Sequence, residues 1–222
     1  MTLKPACTAL FALAAFAAPH KAHAAAPLPT CPVTNGKVAS YDIVRNGNVI
    51  GHESFRWAIN GPDTTVTVDV NASLHALGIR VYHYEHHGEE KWHAGQLVAL
   101  ATNTDDDGIP RHVQVVRDPG GAWHGIVGAQ PGPGPLIDSN VWNDQIVQQS
   151  RLLNHETGEV VPLHTSSAGE QSVKLSDRQV TATQYELAGP VKGTVWYDGN
   201  GCLVQAMFHT KVDGSLIEMQ AR

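Results

Sequence analysis

TTVTVDVNASL, residues 64–74, decides the fold of this 222-residue chain. Val66, Val68, Val70, Ala72 and Leu74 fall at every second position, and Thr67, Asp69, Asn71 and Ser73 fill the gaps between them. Successive side chains of a β-strand point to opposite faces. The alternation is therefore that of an antiparallel strand with one dry face and one wet face. ESFRWAI, residues 53–59, repeats it, with Phe55, Trp57 and Ile59 opposed to Ser54 and Arg56. Turn signals separate such runs: RNGN (45–48), NGPD (60–63), HAG (93–95), DDDG (105–108), DPGG (118–121), DGNG (198–201) and DG (213–214). Asn-Gly and Asp-Gly supply the positive φ that tight hairpins need. The count comes to roughly ten strands, about 8–14 residues apart, as in a meandering sheet, sandwich or barrel.

Only DSNVWNDQIVQQSRLL (138–153) predicts a helix. Asp138, Ser139, Asn140 and Asn143 are cap residues, and Trp142, Ile146, Val147 and Leu153 follow at helical spacing. It comes after GAQPGPGP (128–135), a loop that crosses from a first group of strands to a second. The expected architecture is mainly β: a curved antiparallel sheet, as a half-barrel or open barrel, wrapped around one short helix that fills its concave side.

The N-terminus reads as a targeting segment. Lys4 precedes an uncharged apolar run, Cys7 to Ala18, and Ala22-His23-Ala24 has the small-x-small pattern that signal peptidase cleaves. Residues 1–24 are expected to be a cleaved signal, 25–37 a flexible N-terminal segment and 38–222 one domain. No other stretch is long and apolar enough for a membrane span, and no Cys follows the apolar run as a lipid anchor requires. The expected location is periplasmic or secreted. Removing Lys4 and Lys21 leaves 13 of the 15 basic residues against 21 acidic ones, a formal charge of −8. That balance argues against nucleic acid and against electrostatic docking on anionic membranes. Cys31 and Cys202 survive cleavage. In an oxidising compartment they are a disulfide candidate, with two unrelated thiols as the alternative.

YHYEHHGEEKWH (82–93) holds four histidines, three glutamates and three aromatics. His83, Glu85 and His87 share one face of an extended chain, and His93 could fold back towards them, so these four are the candidate metal ligands. The spacing matches no zinc-protease motif, and a solvated outer face is the competing explanation. Tyr82, Tyr84 and His86 point the other way. The stretch reads as a strand that ends near residues 85–87, a polar connector, and the Trp92-bearing start of another strand. His86 and Glu90 form a candidate polar cluster across that turn. TDDDG (104–108) lacks the later ligands of a calcium loop. There is no G-x-S-x-G, and the prolines of GPGP remove the N–H donors a phosphate cradle needs. The tryptophans at 57, 92, 123, 142 and 196 are spread singly through the chain. They are core residues or, in a curved sheet, the lining of an apolar groove.

Three long stretches carry a family resemblance: the 82–108 region, NVWNDQIVQQSRLLNHETGEVVPL (140–163) and VWYDGNGCLVQAMFHTKVDGSLIEMQ (195–220). From about Tyr41 to Gln220 the chain resembles the domain-of-unknown-function family 6134 of secreted bacterial proteins, a relative of family 3108. The resemblance implies a LolA-like half-barrel, whose kind carries lipids or other apolar molecules on the concave face or serves as an envelope scaffold. GPLIDSNVW (134–142) replaces the family's Cys-containing segment and keeps Trp142. The family contributes no catalytic residues. The expected function is a non-enzymatic envelope protein that holds a lipid-like or other apolar ligand, with Tyr82, Tyr84, Trp92, Trp142 and Trp196 as the candidate lining and no cofactor. The alternatives are a structural protein that binds an envelope partner, and a metal-binding or hydrolytic protein built on residues 83–93.

Overall fold

Seven strands follow one another in an antiparallel meander: β1 (Val38–Arg45), β2 (Asn48–Asn60), β3 (Asp63–Ala76), β4 (Ile79–His93), β5 (Gln96–Asp106), β6 (Ile109–Arg117) and the short β7 (Trp123–His124). The computed structural model describes residues 31–132, 135–210 and 213–222, so the expected signal, residues 1–24, lies outside the described residues. A second meander comprises β10 (His164–Lys174), β11 (Gln179–Ala188), β12 (Gly193–Asp198), β13 (Leu203–His209) and β14 (Leu216–Ala221). β14 pairs with β1, as in Ile43↔Met219, and joins the two meanders into one twelve-stranded sheet. β7 and β10 are its two edges, so the sheet curves without closing. Between the meanders, β8 (Arg151–Leu153) and β9 (Val160–Pro162) form a separate hairpin.

The alternation at 64–74 holds: Val66 and Val68 are fully buried and Ala72 nearly so. Their face meets Phe55 and Trp57 of β2, Leu97 and Leu100 of β5, and Val113 and Val115 of β6. The segment between the meanders packs on this surface through Leu136, Ile137, Val141, Trp142, Ile146, Leu152 and Leu153. The sheet buries its apolar face against its own connecting chain.

That connector is not the expected helix. One 3-10 turn, Asp144–Gln148, forms, capped by the Asn143 side chain accepting from the Gln145 N–H. Before it, the chain is non-helical because its backbone and side chains are engaged elsewhere. Ile137 C=O accepts from Leu153 N–H, and Val141 C=O accepts from the Tyr197 hydroxyl. Asp138, Ser139 and Asn140 bond to side chains of the interior instead of to the first turn of a helix. Asn, Asp and Ser compete in this way with helical hydrogen bonds.

A second correction concerns 82–93. The stretch is one unbroken part of the fifteen-residue β4. There is no connector at Gly88-Glu89-Glu90. The chain alternates through it, with His86, Gly88, Glu90 and Trp92 buried and His87, Lys91 and His93 exposed. The sheet also has more strands than expected, partly because the Leu77-Gly78 turn carries none of the chemistry of the Asn46-Gly47 and Asp107-Gly108 tips.

Candidate functional site

Trp92 closes the inner face of β4, opposite Thr64 of β3, and Trp57 stands two strands away on β2. The connector inserts Trp142 between them. Its ring centroid lies 5.6 Å from Trp57 and 5.7 Å from Trp92, both edge-on, an arrangement that aromatic quadrupoles favour. The three indoles line a cavity of about 390 Å³ at the end of the sheet where the β2–β3 and β4–β5 turns lie. Ile59, Val33 and Pro62 complete the apolar wall. Cys31, also in the lining, is joined by a disulfide to Cys202, which ties the N-terminal segment across the mouth. The Trp57 Nε1–H is buried and meets no acceptor among the described residues. Lys37 Nζ stands 6.0 Å over the same ring.

Glu90 fixes the floor of this mouth. It is fully buried. Its carboxylate accepts from Trp92 Nε1 at 2.8 Å, from Trp142 Nε1 at 3.0 and 3.1 Å, and from Asn140 Nδ2 at 2.6 Å. Asn140 also donates to Asp138 Oδ2 at 2.5 Å. Two carboxyls thus share a dry site. Burial raises both, and the neighbouring Glu90 charge pushes Asp138 well above the carboxylate range. Asp138 Oδ1 is buried without an N–H or O–H donor among the described residues. One proton on Asp138, donated to Glu90, satisfies both groups, because like charges this close cannot both ionise.

The other end of the interior is polar. His86 Nδ1 lies 2.8 Å from Thr104 Oγ1, and its ring stacks with Tyr84 and tilts against His155 at 5.0 Å. Burial pushes the His86 imidazole down to about 3, reinforced by His155 and His87. Burial also lowers His155, whose Nδ1 is 2.9 Å from Ser139 Oγ. This serine–histidine contact lines neither the mouth cavity nor the outer groove described below. The Tyr84 hydroxyl donates to Glu156 and that of Tyr82 to Asp106. Glu53, on the same inner face, is pushed up to about 8 by burial.

These positions sort the expected site residues. Trp92 and Trp142 come together, and Trp57 joins them. Tyr82 and Tyr84 lie at the opposite end with their hydroxyls engaged. Trp196 faces the other side of the sheet, in a small cluster with Val173, Leu175, Ala182 and Val204. The five candidate aromatics therefore do not line one pocket. His86 and Glu90 do not meet: four residues apart on one strand, they are separated by about 13 Å along it. The connector fills the concave face, so the open space lies at its mouth.

His83, Glu85, His87 and His93 do share the outer face, yet each has its own partner. Asp69 directly opposes His87 and Asp63 directly opposes His93, and each pair bonds at 2.7 Å. His83 stands 3.4 Å from both Asp105 and Asp107, and Glu85 accepts from Asn71. Among the described residues no three His, Cys, Asp or Glu side chains converge as metal ligands. An open polar groove of about 670 Å³, lined by His52, His87, His112, Asp69 and Asn103 among others, crosses this face. Sequence reasoning missed Asp138, Asn140, Ser139 and His155. The first three look like helix caps, and nothing local to His155 marks it as buried.

The model of the family described as "Domain of unknown function (DUF6134)" matches residues 41–222. No curated protein matches the chain. Among solved structures, the chain is similar to the crystal structure of a beta-barrel-like protein of domain of unknown function DUF1849 from Brucella abortus. The TM-score is 0.48 at 8% identity, covering 83% of this chain and 94% of that one.

Proposed function

We propose that this chain, which belongs to the domain-of-unknown-function family DUF6134, is a non-enzymatic binding protein that takes a small apolar molecule into its tryptophan-lined mouth. The observation that carries the proposal is the cavity of about 390 Å³ bounded by Trp57, Trp92 and Trp142. Its size lies in the lower part of the range for ligand sites, and its chemistry has their usual form: apolar walls with few polar groups. The Lys37 ammonium, 6.0 Å over the Trp57 ring and bonded to the carbonyl of Pro32 at the rim, supplies the polar contact, suited to a carboxylate. Hydrocarbon burial supplies the rest, at about 0.8 kcal/mol per methylene. The Trp–Trp packing and the Glu90 hydrogen bonds hold the walls in place before a ligand arrives, which lowers the cost of binding.

Location is part of the proposal. The N-terminal pattern at residues 1–24 and the Cys31–Cys202 disulfide agree with export to an oxidising compartment. N-terminal sequencing of the protein recovered outside the cytoplasm should begin near Ala25.

Binding is tested by titrating the purified protein with dodecanoic acid and following tryptophan fluorescence. Saturable change is expected. It should be lost in Trp57→Ala and kept in Trp196→Ala, since Trp196 lies on the other face of the sheet. Equal binding by Trp57→Ala and the parent would remove the mouth as the site, and absence of binding by the parent would end the proposal for chain-like ligands.

A further inference from the structure

The β3–β4 hairpin outruns its neighbours. Pairing of β3 with β2 stops at Gly51↔Ala72, and pairing of β4 with β5 stops at Tyr84↔Asp106. Beyond these points residues 73–83 pair with one another, through Ser73↔His83, Leu74↔Tyr82, His75↔Arg80 and Ala76↔Ile79. Among the described residues no third strand pairs with this ribbon, and its one backbone bond to a neighbour is at its root, where the Asp107 N–H donates to the His83 carbonyl. At about 3.4 Å per residue the ribbon runs on for roughly 15 Å past the last paired residues of its neighbours.

Its tip is apolar and wet. Leu77 is 103% exposed, Ile79 68% and Val81 54%. Residues 71–84 contain no Asp or Glu, whereas His75, Arg80 and His83 fall within them. The backbone of the tip makes its composition stand out. Four hairpins of this sheet turn through the same pair of left-handed residues: Asn46-Gly47, Leu77-Gly78, Ala94-Gly95 and Asp107-Gly108, with φ of 53°, 53°, 47° and 53° at the first position. Asn and Asp tolerate this region, and larger side chains are strained in it. At position 77 the chain instead holds a leucine, in a strained conformation and wholly in water.

We propose that residues 73–83 form a membrane-surface anchor, with Leu77, Ile79 and Val81 entering the boundary between headgroups and acyl chains. Arg80, between the last two, reaches the lipid phosphates, as long cationic side chains do at interfaces. A bilayer rather than a protein is the favoured partner because the apolar surface is convex and projects from the fold. A bilayer yields to such a tip, whereas a protein must supply a matched cleft. Insertion, not charge, drives the contact: Asp105 and Asp107 stand at the root of the ribbon against His83. The anchor lies at the opposite end of β4 from the tryptophan mouth and does not depend on the ligand proposed there.

The test is co-sedimentation of the disulfide-intact protein with vesicles of phosphatidylcholine, and of phosphatidylcholine with phosphatidylglycerol. Both should retain the protein. Leu77→Asn places a turn-favoured residue at the tip, so its melting temperature should equal or exceed the parent's while partition falls at least about tenfold. Val116→Asn, exposed on β6, should leave partition unchanged. In Leu77→Cys, coupled to a polarity-sensitive dye, the emission should shift to the blue with vesicles. Equal partition of Leu77→Asn and the parent overturns the proposal, as does failure of the parent to bind either vesicle. Crosslinking of the tip to a protein without vesicle binding assigns it to that partner and also overturns the proposal.

Discussion

Replacing Glu90 by Gln should damage the protein far more than replacing Asp138 by Asn, although both changes remove one carboxylate from the same buried site. Glu90 receives three N–H donors, spread over its two oxygens. A glutamine keeps one oxygen and turns an NH₂ towards either Trp92 or Asn140. One charge-assisted bond is lost, at about 1.5–3 kcal/mol, and one buried donor is left unpaired, at about 1–3 kcal/mol. The expected loss is about 3–5 kcal/mol, a large part of the ~5–15 kcal/mol that holds an ordinary domain together. Asp138 carries the shared proton, so an Asn amide N–H can donate to Glu90 in its place and the Asn oxygen can still accept from Asn140. That variant should stay within about 1 kcal/mol of the parent. Urea unfolding followed by tryptophan fluorescence measures both, as a shift in midpoint at unchanged slope. Glu89→Gln, on the outer face beside Lys91, serves as the surface control and should change little. If Asp138→Asn costs as much as Glu90→Gln, the proton is misplaced; if Glu90→Gln costs under about 0.5 kcal/mol, the carboxylate is not what holds the tryptophans.

Stability should be greatest on a plateau between about pH 4.5 and 6.5, where the Glu53 and His86 contributions offset each other, and fall on both sides. Burial holds Glu53 up at about 8 from 4.5, so the folded chain keeps a proton that the unfolded chain loses, and stability drops as pH rises through that window. Burial holds His86 down at about 3 from 6.5, so the unfolded chain gains a proton that the folded chain refuses, and stability drops as pH falls through that window. Each limb has a slope of at most about 1.4 kcal/mol per pH unit per group. Melting temperatures across this range check it: Glu53→Gln should flatten the alkaline limb, and a monotonic profile in the parent would contradict both assignments. Reducing the Cys31–Cys202 bond, which spans 171 residues, should cost up to about 5 kcal/mol on the chain-entropy account and weaken dodecanoic acid binding by freeing one wall of the mouth. Gly51→Ala should destabilise by about 2 kcal/mol or more in the urea assay, because its Cβ would stand 2.1 Å from the Asn71 carbonyl oxygen across the sheet.

What was legible in the sequence follows from where polarity is decided. Residues 64–74 declare a strand because their partners on the dry face are apolar, and an apolar surface accepts any apolar neighbour. The same rule put Tyr82, Tyr84 and His86 on the face opposite His83 and His87, as the structure has them. The reading broke at Gly88-Glu89-Glu90, where a buried carboxylate looked like the polar residue of a connector. It broke again at Asp138-Ser139-Asn140, where the groups that satisfy the interior looked like helix caps. The two failures have one cause. A buried acid is tolerable only against matched donors, and Glu90 finds one of them, Asn140, fifty positions away. No window along the chain contains both. Each half therefore resembles ordinary surface chemistry alone, and only their pairing identifies a connector drawn into the sheet. The interior of this fold is specified by the complementarity of two polar stretches as much as by apolar periodicity. The mouth inherits that specificity, since the carboxylate that binds the connector also holds the Trp92 and Trp142 indoles.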